Sequence, residues 1–325
     1  MNNSPKIALI GLGYWGKNLA RNLYDLKVLN GICDNNADNL DKYKSIYKDI
    51  NYFSSIEELL NSDIDAVVIA TPAITHGSLV KKALNANKHV FVEKPLCLDY
   101  EEGLELKKIA KDHNLKLMVG HLLLYHPAFI SLKEVVNSGV IGNIRYIYSN
   151  RLSLGKLRKE EDALWSFAPH DISMILSLIG KEPIKVEATG GAYLSPNIAD
   201  TSLTFLSFKN NIKAHVFVSW LHPYKDQKLV VVGEKAMISF DDVATPDKKL
   251  ILYEHKAGWS EEIPIINKAE GKYLKYDSLK EPLKLECENF ISWIKEDLLP
   301  ASNVEEGLRV LKVLNQAEIS LKRKI

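Results

Sequence analysis

The chain has little of what marks several protein classes. Its 325 residues hold only three cysteines, Cys33, Cys97 and Cys287. They are odd in number and far apart, and no C-x-x-C pair or Cys/His metal spacing occurs. That excludes a disulfide framework and a zinc-finger-like metal site, and it predicts reduced thiols. No apolar run approaches the roughly 18 residues that a membrane span needs, so no membrane partner is expected. Excess charge is absent too. Lys and Arg number 42 against 41 Asp and Glu, a net charge of +1, which argues against nucleic acid or another polyanion as partner. Met1 to Lys6 is short, polar and without a signal-peptide core, so a cytoplasmic location is expected. There is no internal repeat, no low-complexity segment and no Gly/Ser/Pro-rich linker.

What is there begins at residues 7–16, Ile7-Ala8-Leu9-Ile10-Gly11-Leu12-Gly13-Tyr14-Trp15-Gly16. Four apolar residues predict a short buried strand. Three glycines follow at G-x-G-x-x-G spacing. Gly11 allows the tight turn, Gly13 lets a pyrophosphate approach the backbone, and Gly16 lets the next helix pack on the strand. The helix start then offers free N–H groups and a positive dipole end to the phosphates. An amphipathic stretch follows, with Leu19, Leu23 and Leu26 on one face. Asp34 ends the next apolar strand, where its carboxylate can accept the ribose hydroxyls of an adenosine. Asn35 and Asn36 bring no cation for a 2′-phosphate, so NAD is favoured over NADP. Tyr14 and Trp15, inside the glycine loop, join the candidate cofactor-binding residues.

Length and texture point to two domains. Strand and helix signals alternate over residues 1–122, with strand candidates at 6–10, 29–33, 65–70, 88–92 and 116–119. This predicts a doubly wound parallel sheet. Ser55 with Glu58, and Asp99 before Glu101, read as helix starts, and Pro127 suits the first turn of a helix that stops near Gly139. Over 123–325 the pattern becomes α+β. Strands are expected at 144–152, 184–193, 201–208, 212–219, 228–233 and 236–240, with a hairpin-like Asn210-Asn211. Helices are expected at 169–179, 283–297 and 303–321. Two intimately packed domains with a cleft between them are anticipated.

Further residues fall where a parallel-sheet site needs them, beyond the carboxyl ends of strands. Ala70-Thr71-Pro72 closes one strand, and His76 follows in the next helix's first turn. Glu93-Lys94-Pro95 closes another, and His121 follows the strand at 116–119. Thr71, Glu93 and His121 are therefore candidates for holding a nicotinamide. Loss of hydride from an alcohol must be coupled to loss of its hydroxyl proton, and a base near neutral pKa does this best. Lys94 is such a base once partial burial and a positive nicotinamide favour its neutral form. The alternative for Lys94 is a solvated surface charge.

The segments GLGYWG, ATPAITH, FVEKPL and VGHLLLYHP together resemble the glucose–fructose oxidoreductase/inositol dehydrogenase family (Gfo/Idh/MocA), over nearly the whole chain. The resemblance implies a Rossmann domain followed by an α+β domain with an open, mostly antiparallel sheet. It implies that this sheet's outer face builds homodimers or homotetramers, and it assigns Lys94 as the acid/base. The family's second catalytic motif is an Asp followed four residues later by a His. His170 matches, but Ser166 stands at the aspartate position. Otherwise His170 is a helix-start residue capping local groups. Within the family, GYWGKNLARNL, RLSLGKLRKEEDALW and APHDISMIL look most like oxidoreductases acting at C3 of UDP-linked N-acetylhexosaminuronates, which implies a place in surface-polysaccharide biosynthesis. Arg151, Lys156 and Arg158 are either donors to an anionic substrate or parts of a solvated loop. Lys225 is a further substrate candidate. A polyol dehydrogenase, an NADP-linked 3-ketosugar reductase and a dinucleotide-binding sensor without turnover are the competing readings.

Overall fold

The computed structural model describes residues 4–155, 157–159 and 161–323. Lys156 therefore lies outside the described residues. The chain forms two compact units. The first runs through Tyr125 and takes in Glu281–Leu311 as well; the second holds His126–Lys280 and the chain from Lys312 on.

Apolar runs buried on both faces make the first unit's sheet. Its strands are β1 (Ile7–Ile10), β2 (Leu29–Cys33), β3 (Asn51–Phe53), β4 (Ala66–Ile69), β5 (His89–Glu93) and β6 (Leu117–Gly120). All pair in parallel, in the order β3-β2-β1-β4-β5-β6. This is the doubly wound order whose ligand crevice opens where the winding reverses, above β1 and β4. Helices α1 (Gly16–Asp25), α2 (Ala37–Lys44), α3 (Ile56–Leu60), α4 (His76–Asn85) and α5 (Tyr100–Asp112) connect the strands. Ser55 and Asp99 cap α3 and α5 by accepting the N–H of Glu58 and of Glu102, as their spacing predicts. β3 escaped the sequence reading because its three residues are half-buried or exposed and carry no apolar run.

Beyond the boundary expected after residue 122, the chain later returns to the first unit. Helix α8 (Pro282–Glu296) and the start of α9 (Val304–Lys322) belong to the first unit. Their apolar residues find its core: Phe290 meets Phe91 of β5 edge-on at 5.7 Å, and Leu308 and Leu311 lie over Gly103 of α5. No change of composition marks such a return.

In the second unit α6 (Pro127–Asn137) leads to β7 (Ile144–Leu152), α7 (Ala163–Ile179), β8 (Lys185–Gly191), β9 (Thr201–Ser207), β10 (Lys213–Ser219), β11 (Asp226–Gly233) and β12 (Met237–Asp241). Then come β13 (Leu250–Tyr253), β14 (Lys256–Ser260), β15 (Ile263–Asn267) and β16 (Lys272–Tyr273). Eight of these strands form one sheet in the order β16-β13-β12-β11-β7-β10-β9-β8. Only the β7–β10 pair is parallel, so the sheet is mostly antiparallel. Asn210 and Asn211 turn from β9 to β10 at φ 59° and 56°, the left-handed pair a two-residue hairpin needs. The last four strands were not foreseen. β13 and β16 are short, and the exposed β14–β15 hairpin forms a separate two-stranded ribbon.

The helix expected to start at Pro169 starts at Ala163 instead. Asp162 caps it by accepting the Trp165 N–H at 3.0 Å, and Pro169 lies inside it. A nearly continuous run of buried residues, from Ala163 to Leu178, holds it through the proline.

Candidate cofactor site and active site

Each loop glycine has its own steric reason. Gly11 has φ +98°, and a Cβ there would sit 2.7 Å from the Ala70 carbonyl oxygen. A Cβ on Gly16 would sit 2.0 Å from the Gly11 oxygen. Around Gly13 nothing lies within 4 Å of such a carbon, so its backbone faces open space that a pyrophosphate can enter. Asp34 sets the loop's shape: it accepts the Leu12 N–H at 2.6 Å and the Asn36 N–H at 2.8 Å. Tyr14 is 81 % exposed, with the Lys17 ammonium 4.9 Å from its ring centre. These residues fit a dinucleotide: a glycine cradle, a helix start and a carboxylate at the end of β2.

At the ends of β4 and β5 the chain ties two turns together. Thr71 hydroxyl bonds Thr75 at 2.7 Å. His76 is buried, with Nδ1 2.7 Å from the Pro95 carbonyl and Nε2 2.9 Å from the Thr71 carbonyl. Both ring nitrogens lie within hydrogen-bond distance of protein carbonyls, so the imidazole ties the turn after β4 to the turn after β5. Lys94 is half-buried at the end of β5, and its bond to Pro95 is cis. Trp15 likewise spends its indole N–H on a protein group, the Glu93 carboxylate at 2.5 Å. Burial pushes the Glu93 carboxyl up to about 7, against the opposing pull of Trp15, Lys94 and His121. His121 is buried with Nδ1 2.5 Å from Glu306 of α9.

Sequence reasoning missed Glu286 and Glu306. Glu286 is fully buried on α8, and desolvation raises its carboxyl well above the ordinary value, with Glu93 and Glu306 adding to the effect. The signal was present. Leu283, Glu286, Cys287, Phe290 and Trp293 recur at helical spacing, which puts an acid on an apolar face.

In the second unit α7 carries both residues of the altered motif. Ser166 is buried, and its N–H bonds the Asp162 carbonyl at 3.0 Å. His170 is half-buried one turn later. Arg151 is not part of a solvated loop. It lies in β7, buried, with Nε 2.7 Å from Asp171 Oδ2 and Nη2 3.3 Å from Oδ1. Ser149 donates to the same carboxylate at 2.5 Å. Alternation along β7 turns residues 147, 149 and 151 toward α7, which accounts for the pairing. Arg158 is exposed and bonded to Glu161 at 2.9 Å. Lys225 is exposed in the β10–β11 loop. No group of His, Cys, Asp and Glu among the described residues is arranged to hold a metal ion, and no described helix is long and apolar enough to cross a membrane.

Comparison with known proteins agrees with this fold. Residues 5–121 match the oxidoreductase family with an NAD-binding Rossmann fold, and residues 129–239 match the GFO/IDH/MocA C-terminal domain. A UDP-N-acetylglucosamine 3-dehydrogenase of Acidithiobacillus ferrooxidans is 27 % identical, over 97 % of this chain and 97 % of its own. Its solved structure superposes with a TM-score of 0.85, covering 98 % of this chain and 97 % of that one. A myo-inositol 2-dehydrogenase of Thermotoga maritima is 28 % identical, over 98 % of this chain and 97 % of its own.

Proposed function

With both domains of the Gfo/Idh/MocA oxidoreductases in its sequence, the chain belongs to that family, and we propose that it moves a hydride between NAD(H) and C3 of a nucleotide-linked sugar. The observation that carries this reading is Lys94 at the end of β5, in the same unit and sheet as the glycine loop. NAD supplies the hydride acceptor or donor. Lys94 takes the hydroxyl proton in oxidation and returns it in reduction, while His76 holds its turn. His170 is the proposed second polar group for the substrate oxygen. Full-length similarity to a UDP-N-acetylglucosamine 3-dehydrogenase supports the sugar class. With Arg151 committed to Asp171, the case for a carboxylate-bearing sugar among the described residues rests on Arg158 and Lys225.

Polyol oxidation is the second reading, favoured by the full-length similarity to an inositol dehydrogenase. Single-turnover NADH formation with UDP-N-acetylglucosamine, UDP-N-acetylhexosaminuronates and free inositols separates the two. A UDP-sugar is expected to react and the inositols not. Lys94→Met should slow that turnover by about 10²–10⁴-fold, the scale of one general acid/base, and leave NAD affinity nearly unchanged. Reaction with inositols alone overturns the sugar assignment. Tight NAD binding with no turnover on any of them favours a sensor.

A further inference from the structure

Behind the ends of β5 and β6 lies a group of carboxyls that proton transfer by Lys94 does not itself require. Glu286 of α8 is fully buried, and neither of its oxygens has a hydrogen-bond partner. Glu306 of α9 is buried as well; one oxygen meets His121 and the other has no partner. Glu93 completes the group at the edge of the crevice, held by Trp15. Glu93 pairs with Gly120 across β5 and β6, next to His121, whose Nδ1 meets Glu306, and the charges of Glu93 and Glu306 both push the Glu286 carboxyl up. The other titratable groups facing these three are Lys94 after β5, His121 after β6, Tyr125 in the following turn and Cys287 on α8.

Three carboxylate anions cannot share so dry a space, because burying an uncompensated charge costs far more than keeping a proton. A neutral carboxyl has an O–H to donate and a carboxylate has lone pairs to accept it. The unpartnered oxygens of Glu286 and Glu306 are places where a proton can sit. In the doubly wound fold the dinucleotide lies across the strand ends that include Glu93.

We propose that Glu93, Glu286 and Glu306 form one proton store tied to the charge of the nicotinamide ring: the store releases a proton when NAD⁺ binds and regains one when hydride neutralises the ring. The proposal rests on the NAD site described above and not on which sugar is oxidised. In oxidation the carbinol C–H bond breaks, and its electron pair forms the new C–H bond on the ring. The O–H bond breaks with its pair kept for the carbonyl. Its proton goes to the Lys94 amine and on to the Glu93 carboxylate. The store loses one negative charge as one positive charge leaves the ring, so the site stays neutral through the step.

Calorimetric titration of the full chain with NAD⁺ and with NADH tests this. Measured at pH 7 in two buffers of different ionisation enthalpy, it counts the protons exchanged on binding. Groups near the phosphates contribute equally to both cofactors and cancel. NAD⁺ should release more protons than NADH, since burial raises the Glu93 carboxyl to about 7 and a positive ring beside it favours the ionised form. Glu286→Gln keeps the shape but removes the second acid. Glu93 is then ionised before the cofactor arrives, and the difference should vanish. Glu306→Gln should diminish it, and this variant serves if Glu286→Gln does not fold. Lys94→Met removes a cation that holds the Glu93 carboxyl down and should not abolish the difference. Equal proton counts for NAD⁺ and NADH in the wild type overturn the proposal, as does a difference that survives both glutamine variants or disappears in Lys94→Met alone. Absence of binding by either cofactor overturns the NAD site itself, so the two failures are distinguishable.

Discussion

Asp34 gives each of its carboxylate oxygens to a backbone N–H, one at Leu12 and one at Asn36. The first of these shapes the glycine loop. A carboxylate acceptor has about four lone-pair sites, so it can take ribose hydroxyls while keeping both contacts. A 2′-phosphate brought there meets a fixed negative charge, and Asn35 and Asn36 offer no cation. NADH is therefore expected to bind more tightly than NADPH. Asp34→Ala should weaken NADH and narrow the preference, as fluorescence titration of the two cofactors reads. Wild-type protein that binds NADPH as tightly as NADH contradicts this. Gly11, Gly16 and Asp34 were legible in the sequence because each answers a local constraint fixed by spacing. For His76 and Trp15 the sequence showed the positions but not the protein partners of their rings. A sequence places a ring beside a strand end; it does not say that protein carbonyls or a glutamate already occupy its nitrogens.

Helix α7 shows what pairs with what at the scale of elements. Asp171 follows the motif histidine, and helical geometry turns it about 100° away from that residue. It faces β7, where Ser149 and Arg151 wait on the inner side of the strand. Alternation along β7 was readable, but the facing register of helix and strand was not, because it depends on a packing between elements 20 residues apart. The network is sealed, so breaking one side leaves a buried charge unmatched. Asp171→Asn should destabilise the protein by about 3–5 kcal/mol, the cost of leaving such a partner alone. Replacing the pair with Arg151→Met and Asp171→Leu should recover most of that loss, as apolar groups of similar volume often do. Thermal unfolding of the two variants checks the order. A double variant no more stable than Asp171→Asn contradicts it.

The second unit's sheet carries exposed aromatic residues on one face. On the outer side of the second unit's sheet, Tyr148 stacks on His215 with ring centres 5.6 Å apart, and Phe205 lies 6.0 Å from the same imidazole. Tyr146 is 39 % and Phe205 47 % exposed. Broad apolar faces of this kind on soluble chains mark contact surfaces. The family resemblance implies an oligomer built on this face, and the exposed aromatics would supply its contacts. A second copy is the occupant we propose, related by a two-fold axis so that the same residues meet from both sides. Each substitution then enters the contact twice. Phe205→Glu should bring two charges into an apolar centre and raise the dissociation constant by at least about 10²-fold, the range of a central aromatic hot spot. Light scattering of the wild type should give the mass of a dimer or tetramer, and that of Phe205→Glu a smaller species at equal concentration. Sequence alone showed the alternation that creates this face, because period-two patterning is local. It did not show the β14–β15 ribbon, whose exposed Trp259, Ile263 and Ile266 belong to strands with no buried face to mark them. Trp259→Ser is the control that locates the contact. If the copies meet on the sheet, it should leave the mass unchanged; if it dissociates the oligomer while Phe205→Glu does not, the interface lies on the ribbon instead.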